Sequence, residues 1–357
     1  MSLELRNAAP PRRAQSSHGE RGWKRRARLL RAAPAAAMAF ALLALVAPGR
    51  AEALGSPKIY VVDSSGYKVS VVDAGTNTVV GTIPVIAPYD IATTSSPTPR
   101  AYVTSPDTGT VTVIDTTRDV IVGTIQVGGQ PTGVAISNDL RRAYVTNYTD
   151  PFVSVIDTTT NSVVGTIPVN ATSMDIAILD ARTYHFGYVT NYEEGTLSII
   201  NLTQNTLVST IPVGLFPDAV VATDDLPGPR VYVANSGEST VTVLDARTGI
   251  STVNLGAVAF PAGLAIDTDP FDPRVYVASI TLQPGGLATI DADTNTVARA
   301  FGNGALTDVA ISEGLATPRL YVLNDTADAL QVLNPDTGAT VASVPVGTAP
   351  TALAIQN

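Results

Sequence analysis

The sequence predicts an all-β fold: a seven-bladed β-propeller of four-stranded antiparallel blades, with the ring closed by the C-terminal strand joining the N-terminal blade. Three observations lead to this prediction. A unit of 42 to 45 residues occurs seven times, each unit holds four short apolar runs, and the chain ends on a run that matches the innermost run of a unit. Four strands in a repeat of this length are typical of propeller blades.

The repeat is marked by a tyrosine near the start of each unit. The second unit reads AYVTSPDTGTVTVIDTTRDVIVGTIQV and the third reads AYVTNYTDPFVSVIDTTTNSVVGTIPV. Seven such units account for the whole chain after residue 53, so we expect one domain over residues 54–357. The marking residues are Tyr60, Tyr102, Tyr144, Tyr188, Tyr232, Tyr276 and Tyr321.

Strands rather than helices are indicated within each unit. In the second unit the apolar runs are Ala101–Thr104, Thr110–Asp115, Ile121–Val127 and Gly133–Ser137. They alternate with period two, are rich in Val, Ile, Thr and Tyr, and are separated by Gly, Pro, Asn and Asp, as strands and tight turns are.

The phase of the repeat predicts how the ring closes. Ala352–Gln356 matches Gly133–Ser137, the innermost run of a unit, although it stands at the C-terminus. We therefore expect it to complete the blade that begins at Ile59, which would remove the open edge between the first and last blades.

These same residues carry a family resemblance. Tyr144-Val145-Thr146-Asn147, followed by SVIDTTTNSVVGTIPV, resembles the YVTN family of β-propeller repeats found in surface-layer-like and other exported proteins. The resemblance extends over all seven units, with Asp63, Ser105 and Ser279 in place of the asparagine. It implies the fold and says little about activity, because propellers of this kind serve diverse functions.

The N-terminal segment predicts export. Residues 1–53 hold ten of the 22 basic residues, followed by the apolar run AAPAAAMAFALLALVAP and then Ala51-Glu52-Ala53. A basic region, a short apolar region and an A-x-A site indicate a signal peptide cleaved after Ala53. We expect an extracytoplasmic location (periplasm, cell surface or secreted) and no membrane span in the mature chain; Sec or twin-arginine export remains open.

Composition excludes several kinds of chemistry. The chain has no cysteine, its one tryptophan is Trp23, and His185 is the single histidine after residue 53. Residues 54–357 carry 12 basic and 28 acidic residues, which argues against nucleic-acid binding because that depends on Lys and Arg. We expect a monomer.

Positions that recur in nearly every unit are expected to be structural. In each unit, the apolar run that follows the tyrosine run ends on Asp or Asn. These side chains fix tight turns by accepting hydrogen bonds from backbone N–H groups. Six units also have a basic residue two positions before the tyrosine, beside that turn. We expect cross-strand ion pairs or turn braces there; the acidic and amide residues are Asp73, Asp115, Asp157, Asn201, Asp245, Asp291 and Asn334.

The loops on the opposite face break the repeat, and there we place the candidate functional residues. Asp90, Asp175 and Asp308 stand where other units have Gly or Ala, and we predict that they converge on the channel mouth as possible Ca²⁺ ligands or as caps of local N–H groups. The predicted ligand-binding residues are Tyr89, Tyr148, Tyr192, Phe216 and Phe260. Met174, Asp218, Asp150, Glu193 and Glu194 belong to the same face.

Three function classes follow. The preferred one is a non-enzymatic binding or scaffold propeller that presents its loop face to a protein, peptide or glycan, with no catalytic residue, no cofactor and at most Ca²⁺. The alternative is a lactonase-like or other hydrolytic enzyme using the channel-mouth carboxylates and a metal. A redox domain of the cytochrome d1 or quinoprotein type is disfavoured, because it commonly needs histidine, or tryptophan with paired cysteines.

Overall fold

The fold is an all-β ring of seven blades. The computed structural model describes residues 56–94, 98–170, 172–281, 286–302, 304–312 and 317–356, so the predicted signal peptide lies outside the described residues. Each blade is a four-stranded antiparallel sheet. Within the described ranges no helix has the length and apolar character that a membrane crossing requires.

The strands of each blade follow one another from the central channel outwards. Blades 1 to 4 consist of β28 (Pro350–Gln356), β1 (Lys58–Asp63), β2 (Lys68–Asp73) and β3 (Thr78–Pro84); β4 (Ile91–Thr94), β5 (Arg100–Ser105), β6 (Thr110–Asp115) and β7 (Val120–Gln126); β8 (Pro131–Ser137), β9 (Arg142–Asn147), β10 (Phe152–Asp157) and β11 (Ser162–Pro168); and β12 (Ser173–Ala181), β13 (Tyr184–Asn191), β14 (Thr196–Asn201) and β15 (Thr206–Pro212).

Blades 5 to 7 repeat the same order. They consist of β16 (Pro217–Thr223), β17 (Arg230–Asn235), β18 (Thr240–Asp245) and β19 (Gly249–Asn254); β20 (Pro261–Asp267), β21 (Arg274–Ser279), β22 (Leu287–Asp291) and β23 (Thr296–Phe301); and β24 (Leu306–Ile311), β25 (Leu320–Asn324), β26 (Ala329–Leu333) and β27 (Thr340–Pro345). Two single 3₁₀ turns, Pro106–Thr108 and Asp325–Ala327, lie among the described loops.

The predicted ring closure is confirmed. Strand β28, from the C-terminus, pairs antiparallel with β1, and Ile59 lies opposite Ile355 while Val61 lies opposite Leu353. Ile59, Val61 and Leu353 are buried in a cluster that they share with residues of blade 7. The first blade is therefore built from both ends of the propeller.

The apolar core lies between neighbouring blades, and the repeated tyrosines sit in it. Six of the seven are fully buried, and Tyr188 is nearly so. Tyr60 donates a hydrogen bond to Asp119 in the turn of the next blade at 2.6 Å, and Tyr102 donates to Asn161 at 2.8 Å. A buried phenol needs such a partner, so one residue supplies both core packing and a link between blades.

The face that carries these turns is braced as the sequence indicates. Asp73 accepts backbone N–H bonds from Gly75 and Thr76, and equivalent bonds recur at the other turns of the set. Arg230 forms a buried pair with Asp245 at 2.9 Å. Lys58 differs, because it reaches Asp119 of the next blade at 2.6 Å instead of Asp73 of its own.

Candidate channel-mouth site

The inner strands begin at the opposite face and surround the mouth of the central channel. Each blade contributes two consecutive residues there, and we group the first residue of each pair into one set and the second into another. The first set is Tyr89, Thr132, Met174, Asp218, Ala262, Thr307 and Thr351, and the second is Asp90, Gly133, Asp175, Ala219, Gly263, Asp308 and Ala352. All but Thr132 line a cavity of about 480 Å³, which we call the channel mouth.

Asp90, Asp175 and Asp308 converge on the channel mouth as predicted, and each joins two blades. One carboxylate oxygen accepts the N–H of the next residue in its own strand, and the other accepts an N–H from the inner strand of the next blade. The acceptor distances are 2.7 and 2.8 Å for Asp90 (Ile91 and Val134), 2.7 and 2.8 Å for Asp175 (Ile176 and Val220), and 2.8 and 2.9 Å for Asp308 (Val309 and Leu353).

Small residues in the neighbouring blades make room for these carboxylates. A Cβ atom on Gly133 would lie 2.8 Å from the Cα atom of Asp175, and one on Gly263 would lie 2.8 Å from the Cα atom of Asp308. Such distances are shorter than packed atoms tolerate. Glycine at positions 133 and 263 is therefore a packing requirement beside Asp175 and Asp308.

The three aspartates are arranged as caps of backbone N–H groups. Among the described residues there is no group of three or more His, Cys, Asp or Glu side chains placed to hold a metal ion. Both oxygens of each carboxylate already accept a backbone N–H, whereas Ca²⁺ requires six to eight oxygens directed at one point. The capping role that the sequence also allowed fits this geometry.

Burial makes these carboxyls weak acids. Desolvation raises the pKa of Asp90 to about 7, and the nearby Asp175 adds to the effect. Desolvation likewise raises the pKa of Asp175 to about 6 and that of Asp308 to about 8, against the opposing effect of the backbone N–H bonds. The channel mouth therefore changes its charge between about pH 6 and pH 8.

Tyr89, Met174 and Asp218 are the side chains that break the pattern of the first set, where other blades have Thr or Ala. The three threonines of the set, Thr132, Thr307 and Thr351, each bond to a carbonyl of the next blade. Asp218 accepts no hydrogen bond from any described residue, and desolvation and Asp175 raise its pKa to about 7. Sequence reasoning gave Met174 and Asp218 no role, although their departure from Thr and Ala was the available signal.

The predicted aromatic residues are only partly brought together. Tyr89, Tyr148 and Tyr192 line a second cavity of about 570 Å³ beside the channel mouth, and Tyr89 and Met174 line both. Phe216 packs on Tyr192 with ring centroids 5.1 Å apart and lies outside both linings. Phe260 belongs to blade 6 and is 54 % exposed, away from this group.

Comparison with known proteins identifies the family. The model of the cytochrome D1 heme domain matches residues 55–266, more than half of the chain. The chain belongs to the cytochrome D1 heme domain family. Among curated proteins none matches the sequence.

Solved structures share the propeller fold with this cytochrome D1 family member. Hydrazine synthase from Kuenenia stuttgartiensis has a TM-score of 0.68 and 19 % identity, covering 79 % of this chain and 93 % of that one. A functionally unknown protein from Desulfotomaculum acetoxidans has a TM-score of 0.70 and 17 % identity, covering 85 % and 99 %. The dihydro-heme d1 dehydrogenase NirN, in complex with DHE, has a TM-score of 0.58 and 17 % identity, covering 83 % and 74 %. At these identities the likeness concerns the fold.

Membership of the cytochrome D1 family corrects two expectations. The preferred function, a non-enzymatic scaffold for a protein, peptide or glycan, is wrong, and so is the cofactor expectation of none or Ca²⁺, because the family is defined by a heme domain. The argument against a redox domain assumed that the ligand set of such a domain must include histidine, and that assumption does not hold for all heme iron, which also accepts Met or Tyr.

The residues present fit a heme in their donor chemistry, with two departures. Met174 offers a thioether at the channel mouth, and tyrosine rings supply flat walls beside it. The single histidine of residues 54–357, His185, is near the start of strand β13, where its Nδ1 bonds to Asp180 of strand β12 at 2.9 Å. Among the described residues no Lys, Arg or His lines either cavity, so carboxylate substituents of a heme would find no cation in that part of the chain.

Proposed function

We propose that the protein binds a heme-type tetrapyrrole at the channel mouth, with the Met174 thioether as the iron ligand. Met174 is the only methionine in residues 54–357, and it lines both cavities. Thioether sulfur is an established heme ligand and needs no deprotonation to bind iron. This side chain is the observation on which the proposal depends.

The neighbouring tyrosines would hold the ring rather than the iron. A phenol binds iron as a phenolate, and burial together with the surrounding acids raises the pKa of Tyr89, while burial and Glu193 raise that of Tyr148. Both hydroxyls therefore stay protonated near neutral pH. Their aromatic faces, with that of Tyr192, remain available for stacking.

Bound heme would supply iron-centred redox or ligand-binding chemistry. The chain's own contribution is a soft sulfur donor, which favours the reduced metal over the oxidised one, and carboxyls that are neutral only at lower pH. A tetrapyrrole with anionic substituents should then bind more tightly as the pH falls from 8 to 6, since Asp90, Asp218 and Asp308 become protonated.

We also propose that this happens outside the cytoplasm. The signal peptide expected over residues 1–53 and the likeness to exported YVTN-type repeats support that location.

The test is an absorbance and magnetic circular dichroism titration of the purified protein with hemin, before and after reduction with dithionite. We expect saturable binding and a signature of sulfur ligation in the magnetic circular dichroism of the reduced form, which Met174→Ala removes. Ile86→Ala is the matched control, because Ile86 is an apolar side chain on the same face, 68 % exposed and outside both cavities. An unchanged spectrum in Met174→Ala, or no saturable binding at all, would show the proposal to be wrong.

A further inference from the structure

Beside the channel mouth lies an open cleft with several tyrosines in its walls. Its volume is about 570 Å³, and loops of blades 1 to 4 form it. Four tyrosines line it, Tyr67, Tyr89, Tyr148 and Tyr192, and we call it the tyrosine cleft. Tyr67 is 57 % exposed, so its ring is available to a ligand and not committed to the core.

The tyrosine rings are held in place by their neighbours. The Tyr148 hydroxyl bonds to Glu193 at 3.1 Å, and Tyr192 packs against Phe216. The two loops are joined through Thr172, whose N–H donates to the Tyr148 carbonyl and whose carbonyl accepts the Tyr192 N–H, both at 2.9 Å. A pre-positioned aromatic wall loses little conformational entropy when a ligand binds.

The charged side chains described at the tyrosine cleft are acidic. Asp107 lines it, Glu193 bonds to Tyr148, and Glu194 bonds to the Thr172 hydroxyl at 2.6 Å. No Lys, Arg or His is among its lining residues. Several π faces together with nearby carboxylates complement a positive charge and repel a negative one.

We propose that the tyrosine cleft is a binding site for a small organic cation of the quaternary ammonium class. Such an ion is weakly hydrated and binds over aromatic faces, as in the aromatic cages that recognise choline-like groups. A metal cation would instead need convergent oxygens, which the described residues do not provide. The proposal goes beyond the tetrapyrrole function and requires neither iron nor a thioether.

The experiment is isothermal titration calorimetry of the heme-free protein with tetramethylammonium chloride. Ionic strength is held constant by exchange with sodium chloride, which cancels general electrostatic attraction. We expect saturable binding with a dissociation constant of about 1 mM, the affinity that a few kcal/mol of cation–π attraction provides. The neutral isostere tert-butanol should show no saturable binding.

Variants separate the aromatic contribution from simple cavity filling. Tyr148→Leu and Tyr192→Leu should each weaken tetramethylammonium binding about tenfold, because each removes one π face. Tyr148→Phe, which keeps the ring and loses the bond to Glu193, should retain most of the affinity. Phe271→Leu is the control, since Phe271 is 94 % exposed and lines neither cavity, and thermal melts establish that each variant is folded.

Equal binding of tert-butanol, unchanged affinity in both leucine variants, or the absence of any saturable heat would overturn the cation site. Hemin would share Tyr148 and Tyr192 with the cation, so the calorimetry uses heme-free protein, and a failed cation titration leaves the thioether ligation, which is read from Met174→Ala in the hemin spectrum, untouched. A failed hemin titration likewise leaves the cation proposal intact.

Discussion

Asp308 offers the sharpest test of how the ring is held closed. Its carboxylate accepts the N–H of Val309 in blade 7 and the N–H of Leu353 on strand β28, which belongs to blade 1. Asp308→Ala would leave both donors without an acceptor at the junction where the two ends of the propeller meet. No other side chain of the mouth bonds to Leu353 N–H among the described residues.

The cost can be worked from these two bonds. A buried donor left without a partner costs about 1–3 kcal/mol, and water at the open mouth should hold each near the lower end, for a total of about 2–3 kcal/mol. In a domain of this size that corresponds to a fall in melting temperature of about 5 °C. Asp308→Asn keeps one acceptor oxygen, and it should lower the free energy of unfolding by roughly half as much as Asp308→Ala does.

The assay is differential scanning calorimetry at pH 6. The raised pKa of Asp308, about 8, keeps the carboxyl neutral at that pH, so the loss is not offset by relief of a buried charge. Asp139→Ala is the control, because Asp139 is exposed and should change stability by less than about 0.5 kcal/mol. If Asp308→Ala melts within a degree of the wild type, the carboxylate does not hold the junction.

Three further predictions follow from the same structure. First, the melting temperature should fall as the pH rises from 5 to 9. Carboxyls with raised pKa values stabilise the native state below the unfolded-state pKa, and they lose that contribution as the pH rises through the folded-state pKa. Asp308→Ala should flatten the calorimetric plot of melting temperature against pH, and an equal slope in both proteins would contradict this. Second, deletion of residues 350–357 removes the strand paired with β1 and uncovers Ile59 and Val61; a cost of about 5 kcal/mol or more should abolish cooperative unfolding by circular dichroism, and a normal melt would refute it. Third, protein recovered from the cell envelope or medium should begin at Leu54 on N-terminal sequencing, and an intact basic segment would argue against cleavage.

The fold was predictable because every unit carries the same local signals. Alternating apolar runs set the strands, and the phase of Ala352–Gln356 set the closure, which pairing with β1 confirms. The convergence of Asp90, Asp175 and Asp308 was also predictable, since strand alternation places them on one face. Their partners were not, because the bond to the next blade depends on the distance between sheets, which a single strand does not encode.

The rest of the candidate site depends on position around the ring. Phe260 occupies the same loop position in its blade as Phe216, yet only Phe216 packs against Tyr192. The repeat predicts which face of the ring a residue lies on, but it does not predict which residues of neighbouring blades come into contact. Family membership was missed for a different reason. The redox class was disfavoured because residues 54–357 hold one histidine and no tryptophan or cysteine, and the single Met174 was not considered as a heme ligand.

The alternation at the channel mouth has a consequence that comes from counting. Seven is odd, so aspartate and small residue cannot alternate all the way around, and Ala219 and Gly263 stand side by side in blades 5 and 6. The carboxylates join blade 2 to 3, 4 to 5 and 7 to 1. Six blades are thus joined in three pairs. Among the described residues, no carboxylate of the channel mouth joins blade 6 to either of its neighbours. The odd number of blades thus leaves blade 6 to be held by contacts away from the mouth, such as the Arg274–Asp336 ion pair with blade 7 and the Arg230 bond to the Ala292 carbonyl from blade 5.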